Sequence, residues 1–136
     1  MIVVDSSALV AMLTGEATAA SCRAVFENEN LLQISAGTVL EALIVALRRG
    51  FHTQMRELLA SPGMIVVPVT AARAQSAAAA YAQWGKGIHP ASLNFGDCFS
   101  YATAKEFDCP LLFVGDDFSR TDITPAIPAG SLDVIL

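Results

Sequence analysis

Short apolar runs alternate with longer stretches of helical periodicity along this sequence, a pattern that favours strands separated by helices. The predicted strands are residues 2–4, 31–34, 64–69 and 110–115, with a last one at 132–136. The predicted helices are residues 6–13, 16–29, 36–49, 51–63, 71–84 and 95–107. Because strands that are joined through helices pair in parallel, the pattern predicts an α/β fold. We expect one domain over residues 1–136, with a parallel β-sheet of about four to five strands flanked by helices on both faces.

Polar residues, glycine and proline mark where these elements begin and end. Ser35 and Thr70 stand directly before helical segments and are residue types that cap helix N-termini, and Gly50 follows the last turn of the helix that Ser35 begins. Pro68 cannot donate a hydrogen bond to a neighbouring strand, which predicts an edge position for the third strand. In such folds ligands bind at the carboxyl ends of the strands, so residues that directly follow strands are the first candidates for chemistry.

The composition is apolar, and the cysteines show no disulfide or metal spacing. Hydrophobic residues make up 54% of the chain and charged residues 15%, which indicates a buried sheet and some surface for a partner. No apolar run approaches the roughly 18 to 20 residues of a membrane span, and no signal peptide is visible. Cys22, Cys98 and Cys109 form no CxxC pair. We therefore expect a reduced, cytoplasmic protein without a membrane segment or a zinc site.

The net charge of −5 argues against binding nucleic acid through a broad basic surface. A nucleic-acid role requires that the negative charge is concentrated at a metal site, or that a few placed cations act locally. Six basic residues are candidates for such local contacts with phosphates: Arg48, Arg49, Arg56, Lys86, Lys105 and Arg120. The plainer reading of each is ordinary solvated surface.

Five acidic residues stand out by their surroundings. Asp5 ends the first strand, Asp116 and Asp117 follow a late strand, and the rule for parallel sheets brings both ends to the same edge. Glu41 lies inside the most apolar helix, and Asp97 begins a helix after a glycine. A carboxylate in an apolar helix is costly to bury alone, and several in one pocket repel each other. A divalent cation removes both difficulties.

Each of these acidic residues also has an alternative interpretation as an ordinary structural residue. Asp5 is a residue type that caps the helix after it, and Asp97 is a residue type that compensates a helix dipole in the first turn. Glu41 fits an exposed helix face, and Asp116 with Asp117 fits a turn. What favours a site is their joint placement in an alternating α/β chain.

An oxygen-only pocket without histidine or cysteine favours Mg²⁺, with Mn²⁺ as a substitute, over zinc. The chemistry that such a pocket supports best is phosphodiester hydrolysis, in which the metal activates a water and stabilises the leaving oxygen. The carboxylates then hold the metal, and none of them has to attack phosphorus.

Four segments together resemble the PIN-domain ribonucleases, and specifically the VapC toxins of type II toxin–antitoxin systems: IVVDSSALVAML, ISAGTVLEALIV, HPASLNFGDCFSYATAK and LLFVGDDFSRTDI. The resemblance covers nearly the whole chain in the same order. It matches Asp5, Glu41 and Asp97 to the first three acidic positions of the family and leaves the fourth as either Asp116 or Asp117 in GDDF.

This resemblance implies further residues, a cofactor and partners. Ser6 or Ser7 matches the small polar residue beside the first aspartate, which implies a hydrogen bond to the metal-bound water or to the phosphate. It implies a Mg²⁺-dependent endoribonuclease that acts on structured RNA such as tRNA or ribosomal RNA and inhibits translation. It also implies a homodimer and a cognate antitoxin, with operator DNA bound only through the antitoxin.

Three other functions compete with this one. A phosphatase that forms an aspartyl-phosphate needs Asp-x-Asp after the first strand, where this chain has Asp5-Ser6-Ser7. A receiver-type signalling module needs an aspartate at the end of a middle strand, and MIVVPVTAA has none. A non-catalytic PIN-like module that binds RNA or protein remains open, although all four acidic positions are present.

Four more residues have two readings each. His89 suits a general acid but also a role in ordering the loop GKGIHPASLN, which the sequence favours. Trp84 and Tyr101 are able to stack on bases, although core packing is favoured for Tyr101. Cys98 lies in the first turn of a helix, where a thiolate is stabilised, but burial as a thiol is favoured.

Overall fold

The computed structural model describes residues 1–127 and contains one parallel sheet with helices around it. The strands are β1 (Ile2–Val4), β2 (Leu32–Ser35), β3 (Met64–Val67) and β4 (Leu111–Leu112). The helices are α1 (Ser6–Thr14), α2 (Ala19–Asn28), α3 (Ala36–Arg49), α4 (His52–Leu59), α5 (Ala71–Trp84) and α6 (Phe95–Glu106). The predicted α/β fold is thereby confirmed, while the predicted strand at 132–136 lies outside the described residues.

All pairs in the sheet are parallel, and the described strands lie in the order β3-β2-β1-β4. Val3 stands beside Gln33 of β2 and Leu111 of β4, so β1 is central. β3 lies at an edge, as Pro68 predicts. The strand order reverses at β1, which places its carboxyl end, and Asp5 with it, where ligands bind in such sheets.

Alternate residues of the strands enter two hydrophobic cores, one on each face of the sheet. Ile2, Val4 and Leu112 point toward α1 to α4, where they pack with Leu9 and Met55. On the other face, Val3 and Leu111 pack against α5 and α6 through small side chains and Tyr101. Helices therefore cover both faces, and the sheet edge between them is the surface left for a site.

Four elements are markedly shorter than predicted: α4 ends at Leu59 and not at 63, β3 ends at Val67 and not at 69, and α2 and β4 are shorter for local reasons. α2 begins at Ala19 and not at Glu16, because the Glu16 amide still donates to the Ala11 carbonyl and closes α1. β4 stops at Leu112, and the Val114 amide donates to the Ser7 hydroxyl at 3.0 Å instead of to a strand. The chain thus leaves the sheet at the point where it meets the start of α1.

None of the helices described over residues 1–127 is by itself long and apolar enough to cross a membrane. α1 and α2 pass that test only together, and the pair is bent by 118°.

Candidate active site

Asp5 lies at the junction of β1 and α1, and its carboxylate is held by three hydrogen bonds. Oδ2 accepts from the Ser7 amide at 3.1 Å, as an N-cap does, and from the Ser7 hydroxyl at 2.6 Å. Oδ1 accepts from the Ser100 hydroxyl of α6 at 2.5 Å. Asp5 therefore caps the N-terminus of α1, which is the alternative interpretation that the sequence offers for this residue. Its bond to Ser100 also joins α1 to α6.

A chain of hydroxyl groups continues from Asp5 to the neighbouring elements. Since the Ser100 hydrogen points to Asp5, the Thr38 hydroxyl of α3 donates to Ser100 over 3.2 Å. The Ser7 hydroxyl accepts from the Val114 amide after β4. Asp5 is thereby fixed by four elements that meet at the carboxyl edge of the sheet.

Glu41 reaches this edge from the first half of α3, one turn after Thr38. Its Oε1 accepts from the Ser6 hydroxyl at 2.6 Å. Burial raises the pKa of Glu41, the Ser6 hydrogen bond lowers it, and the charges of Asp5 and Asp117 raise it further. Gly96 of α6 packs directly against this carboxylate, because a Cβ at position 96 would collide with Glu41 Oε2. Any side chain at position 96 would therefore force the Glu41 carboxylate to move.

Asp97 is oriented by a capping box at the start of α6. The Asn94 side chain accepts from the Asp97 amide at 2.9 Å, and Asp97 Oδ2 accepts from the Asn94 amide at 3.0 Å. Burial raises the pKa of Asp97 to about 7, against the Asn94 hydrogen bond, which lowers it. The charges of Asp117, Asp5 and Glu41 add to the rise. Asp97 therefore lies within the field of three other carboxylates.

Asp116 and Asp117 follow Gly115 and are both exposed, but only one of them acts on the buried acids. The charge of Asp117 raises the pKa of both Glu41 and Asp97, whereas Asp116 is not among the groups that shift either. The Asp116 carbonyl accepts hydrogen bonds from the Ser119 amide and hydroxyl. Electrostatics therefore favours Asp117 for the fourth acidic position, which the sequence left open.

The donor chemistry of these four carboxylates suits a hard divalent cation. All of the candidate donors are oxygens, and no cationic side chain of residues 1–127 is among the groups that shift the pKa of Glu41 or Asp97. Within residues 1–127 no three acidic, cysteine or histidine side chains converge closely enough to ligate one ion together. Mg²⁺ does not require this, because it commonly takes one or two carboxylates and keeps several waters.

The residues with two readings have structural roles in this arrangement. His89 Nδ1 accepts from the Ala91 amide at 2.9 Å, and its ring packs edge-on against Trp84. Trp84 donates to the Tyr101 hydroxyl, which donates to Asp122. Burial raises the pKa of the Cys98 thiol to about 11, so a thiolate is not favoured. The contacts of His89 order the loop that leads into α6.

Sequence reasoning missed Ser100 and Gly96. Both lie within one helical turn of Asp97 in NFGDCFSYATAK, so the spacing of three residues from Asp97 to Ser100 was available as a signal. The role of Gly96 depends on Glu41, which is distant in sequence, and no local pattern reveals it.

Comparisons with known proteins agree with this fold. The family model of the PIN domain matches residues 2–123. Ribonuclease VapC30 of Mycobacterium tuberculosis is 45% identical over 130 residues, which cover 93% of this chain and 99% of the relative. The crystal structure of VapC20 from the same species, described as a toxin that cleaves the sarcin–ricin loop, superposes with a TM-score of 0.75 at 19% identity over 91% of this chain and 97% of its own. A toxin–antitoxin complex from Klebsiella pneumoniae matches with a TM-score of 0.68 at 18% identity, covering 90% and 93%.

Proposed function

The chain belongs to the PIN-domain family and, within it, to the VapC ribonucleases, and we propose that it is a metal-dependent endoribonuclease. The proposal rests on this membership and on four acidic residues that we call the acidic cluster: Asp5, Glu41, Asp97 and Asp117. The chain acts as the toxin of a type II toxin–antitoxin pair in the cytoplasm. The observation that carries the proposal is that Asp5, Glu41 and Asp97, which are far apart in sequence, lie near the switch point of the sheet within range of one another's charge or of the charge of Asp117. Its targets are structured RNAs such as tRNA or ribosomal RNA, whose cleavage inhibits translation.

The chain's own residues would hold and orient the reacting groups. Asp5 and Asp97 are the buried ligands for Mg²⁺ or Mn²⁺, and Glu41 with Asp117 completes the pocket, Asp116 being the alternative to Asp117. The cation, when bound, supplies the charge that activates a water and stabilises the leaving oxygen. Ser6 keeps the Glu41 carboxylate turned toward this edge through its 2.6 Å hydrogen bond. No side chain has to become covalently attached to the RNA.

Two exposed apolar surfaces support the proposal of two protein partners, a second copy of the chain and an antitoxin. Leu40, Ile44 and Leu47 form a stripe on α3 and are 61%, 47% and 61% exposed. A groove of about 720 Å³ runs between α5 and α6 and includes Tyr81 and Phe95. Apolar patches of this kind are typical of protein interfaces. Operator DNA is bound only through the antitoxin, since the chain carries a net charge of −5.

Cleavage of a total RNA preparation tests the enzymatic proposal. We expect the purified chain to cut RNA with Mg²⁺ or Mn²⁺ and to stop when the metal is chelated. Asp5→Asn and Asp97→Asn should abolish cleavage without unfolding the chain, while Glu57→Gln, an exposed acid of α4, should leave it unchanged. Absence of metal-dependent cleavage in a preparation free of other nucleases would overturn the proposal. Full activity of both site variants would overturn the site assignment alone.

Expression and size measurements test the partners. Expression should arrest growth unless the antitoxin is co-expressed, and harmless expression would contradict the toxin role but not the nuclease activity. Light scattering should give the mass of a dimer. Ile44→Lys on α3 and Ala78→Lys in the groove place a charge on one surface each. One of them should give a monomer, and a dimer in both would show that neither surface holds the second copy.

A further inference from the structure

A second, polar cavity opens beside the acidic cluster. It has a volume of about 410 Å³ and lies between the loop before α6 and the segment after β4. It is lined by Pro90, Ala91, Asp116, Asp117, Ser119 and Arg120. Because Asp117 also acts on Glu41 and Asp97, this cavity adjoins the site where RNA would be cut.

Arg120 is the basic residue among those that line this cavity. Four of the other cations are paired or distant. Arg73 pairs with Glu106 and Lys105 with Asp122, and α3 runs away from the carboxylates, so Arg48 and Arg49 lie at the opposite edge. The Arg120 guanidinium makes a long hydrogen bond of 3.4 Å to the Pro90 carbonyl and forms no salt bridge with any residue of the described part of the chain. It is therefore available to an anion in the cavity.

Asp116 supplies a carboxylate on the same wall. Its backbone carbonyl is taken by Ser119, but its side chain is exposed and does not influence the buried acids. A guanidinium and a carboxylate in one cavity complement a phosphate and a hydroxyl. A free phosphate fits this charge pattern poorly, because Asp116 and Asp117 both repel a multiply charged anion. A ribonucleotide within a chain has one negative charge and a 2′-hydroxyl donor and fits it well.

We propose that this cavity binds the nucleotide next to the scissile bond, with Arg120 contacting its phosphate and Asp116 its 2′-hydroxyl. The inference rests on the proposed ribonuclease function and adds a subsite that selects RNA over DNA. It also explains how a chain of net charge −5 engages RNA, since one placed guanidinium lies beside the cluster.

Steady-state kinetics on a short RNA that spans a mapped cleavage site tests the phosphate contact. Arg120→Ala should raise KM about tenfold with kcat changed much less, as expected for one lost charged contact. The slope of log affinity against log salt should fall by about 0.7 to 1. Arg48→Ala removes a cation at the opposite edge and is the matched control, with KM and slope as in the wild type.

A cycle of single 2′-deoxy substitutions tests the hydroxyl contact. A single deoxynucleotide on one side of the scissile bond should raise the KM of the wild type several-fold. The same substitution should leave the KM of Asp116→Ala almost unchanged, because this variant lacks the acceptor for the hydroxyl. Equal penalties in both proteins at every position would show that Asp116 does not read the hydroxyl.

The failure of this inference is distinguishable from failure of the nuclease proposal. If the wild type cuts RNA and Arg120→Ala has the KM and salt slope of Arg48→Ala, the subsite is overturned while the activity stands. If the wild type cuts nothing, fluorescence anisotropy with a labelled oligouridine RNA in Ca²⁺ still decides it. Arg120→Ala must then bind about tenfold more weakly than Arg48→Ala, and equal binding would overturn the subsite.

Discussion

Asp5 and Asp97 are almost equally buried, at 4% and 7% exposure, but their carboxylates differ in hydrogen bonds and in neighbouring charges. Asp5 accepts hydrogen bonds from Ser7 and Ser100 on both of its oxygens. Asp97 accepts one bond, from the Asn94 amide, and burial with three neighbouring carboxylates raises its pKa to about 7. Hydrogen bonds within the fold stabilise the carboxylate of Asp5, whereas the carboxylate of Asp97 has one hydrogen bond and lies near other negative charges.

This difference divides the site into two halves. In the first, hydroxyl groups from α1 and α6 fix a carboxylate before any ligand is present. In the second, burial raises the pKa of Asp97 and the charge of Glu41 adds to the rise, which lowers the stability of the metal-free chain as the pH rises toward 7. The fold thus fixes the geometry of the first half and leaves uncompensated negative charge in the second, which the proposed cation would neutralise.

Gly96→Ala should have the largest effect, because it disturbs the second half and leaves the hydrogen bonds of Asp5 intact. A methyl group at position 96 displaces the Glu41 carboxylate. We expect kcat/KM to fall at least about 100-fold, which corresponds to ~2.7 kcal/mol. Alanine favours helices over glycine by roughly 1 kcal/mol, so a weaker α6 would not account for the loss.

The shorter side chain of Glu41→Asp provides the control for this variant. If the collision is the cause, Gly96→Ala should cost far less in the Glu41→Asp background than in the wild type, as kinetics of all four proteins would reveal. Equal losses in both backgrounds would contradict the steric explanation.

Asp97→Asn and Asp5→Asn should change stability in opposite directions. The Asp97 carboxyl keeps its proton to about pH 7 when folded but titrates near 3.8 when unfolded, so the folded state binds more protons and loses stability as pH rises between these values. At pH 8 without metal, Asp97→Asn should therefore be more stable than the wild type by about 1–3 kcal/mol, allowing for solvent screening at the open edge. At pH 4 the gain should largely vanish.

Asp5→Asn should instead lose about 1–2 kcal/mol at pH 8, because an amide has only one acceptor oxygen for the donors that surround it. Urea unfolding of the three proteins at both pH values measures the difference. Destabilisation by both substitutions would mean that Asp97 is as well satisfied as Asp5.

Saturating Mg²⁺ should remove the destabilisation that the negative charge of Asp97 causes in the second half of the site. We expect it to raise the unfolding free energy of the wild type by about 2–3 kcal/mol at pH 8 and by much less at pH 5, where Asp97 holds its proton. Asp97→Asn should gain little at either pH. A gain in this variant equal to that of the wild type would place the cation elsewhere.

Most of the fold was predictable because its signals are local. The strands of the sheet are short apolar runs, Ser35 and Thr70 do cap their helices, and Pro68 follows an edge strand. The alternating order of elements was enough to bring Asp5 and the GDDF segment to one edge. The length of β4 was not predictable, because the Val114 amide is taken by a side chain from α1.

The acidic residues could be proposed from their sequence surroundings, whereas the interactions between them could not be predicted. Only the folded chain shows that Asp117 rather than Asp116 acts on Glu41 and Asp97, since adjacent residues in a turn have the same sequence context. Ser100 and Gly96 lacked a chemical signal of their own. Their roles arise from contacts with Asp5 and Glu41, which lie 95 and 55 residues earlier in the chain.

Ser100→Ala and Ser6→Ala should have the smallest effects and should differ in kind. Ser100→Ala removes one hydrogen bond to Asp5 and should lower the unfolding free energy by about 1 kcal/mol at every pH above 5. Ser6→Ala removes the bond that lowers the pKa of Glu41, so that pKa should rise. A higher pKa for a ligand carboxylate moves the acid limb of the pH–rate profile to higher pH. The contrary result is a shift of the acid limb by Ser100→Ala and none by Ser6→Ala. Ser100 would then act on the half with Glu41 and Asp97, and Ser6 on the half with Asp5, which is the reverse of what the hydrogen bonds indicate.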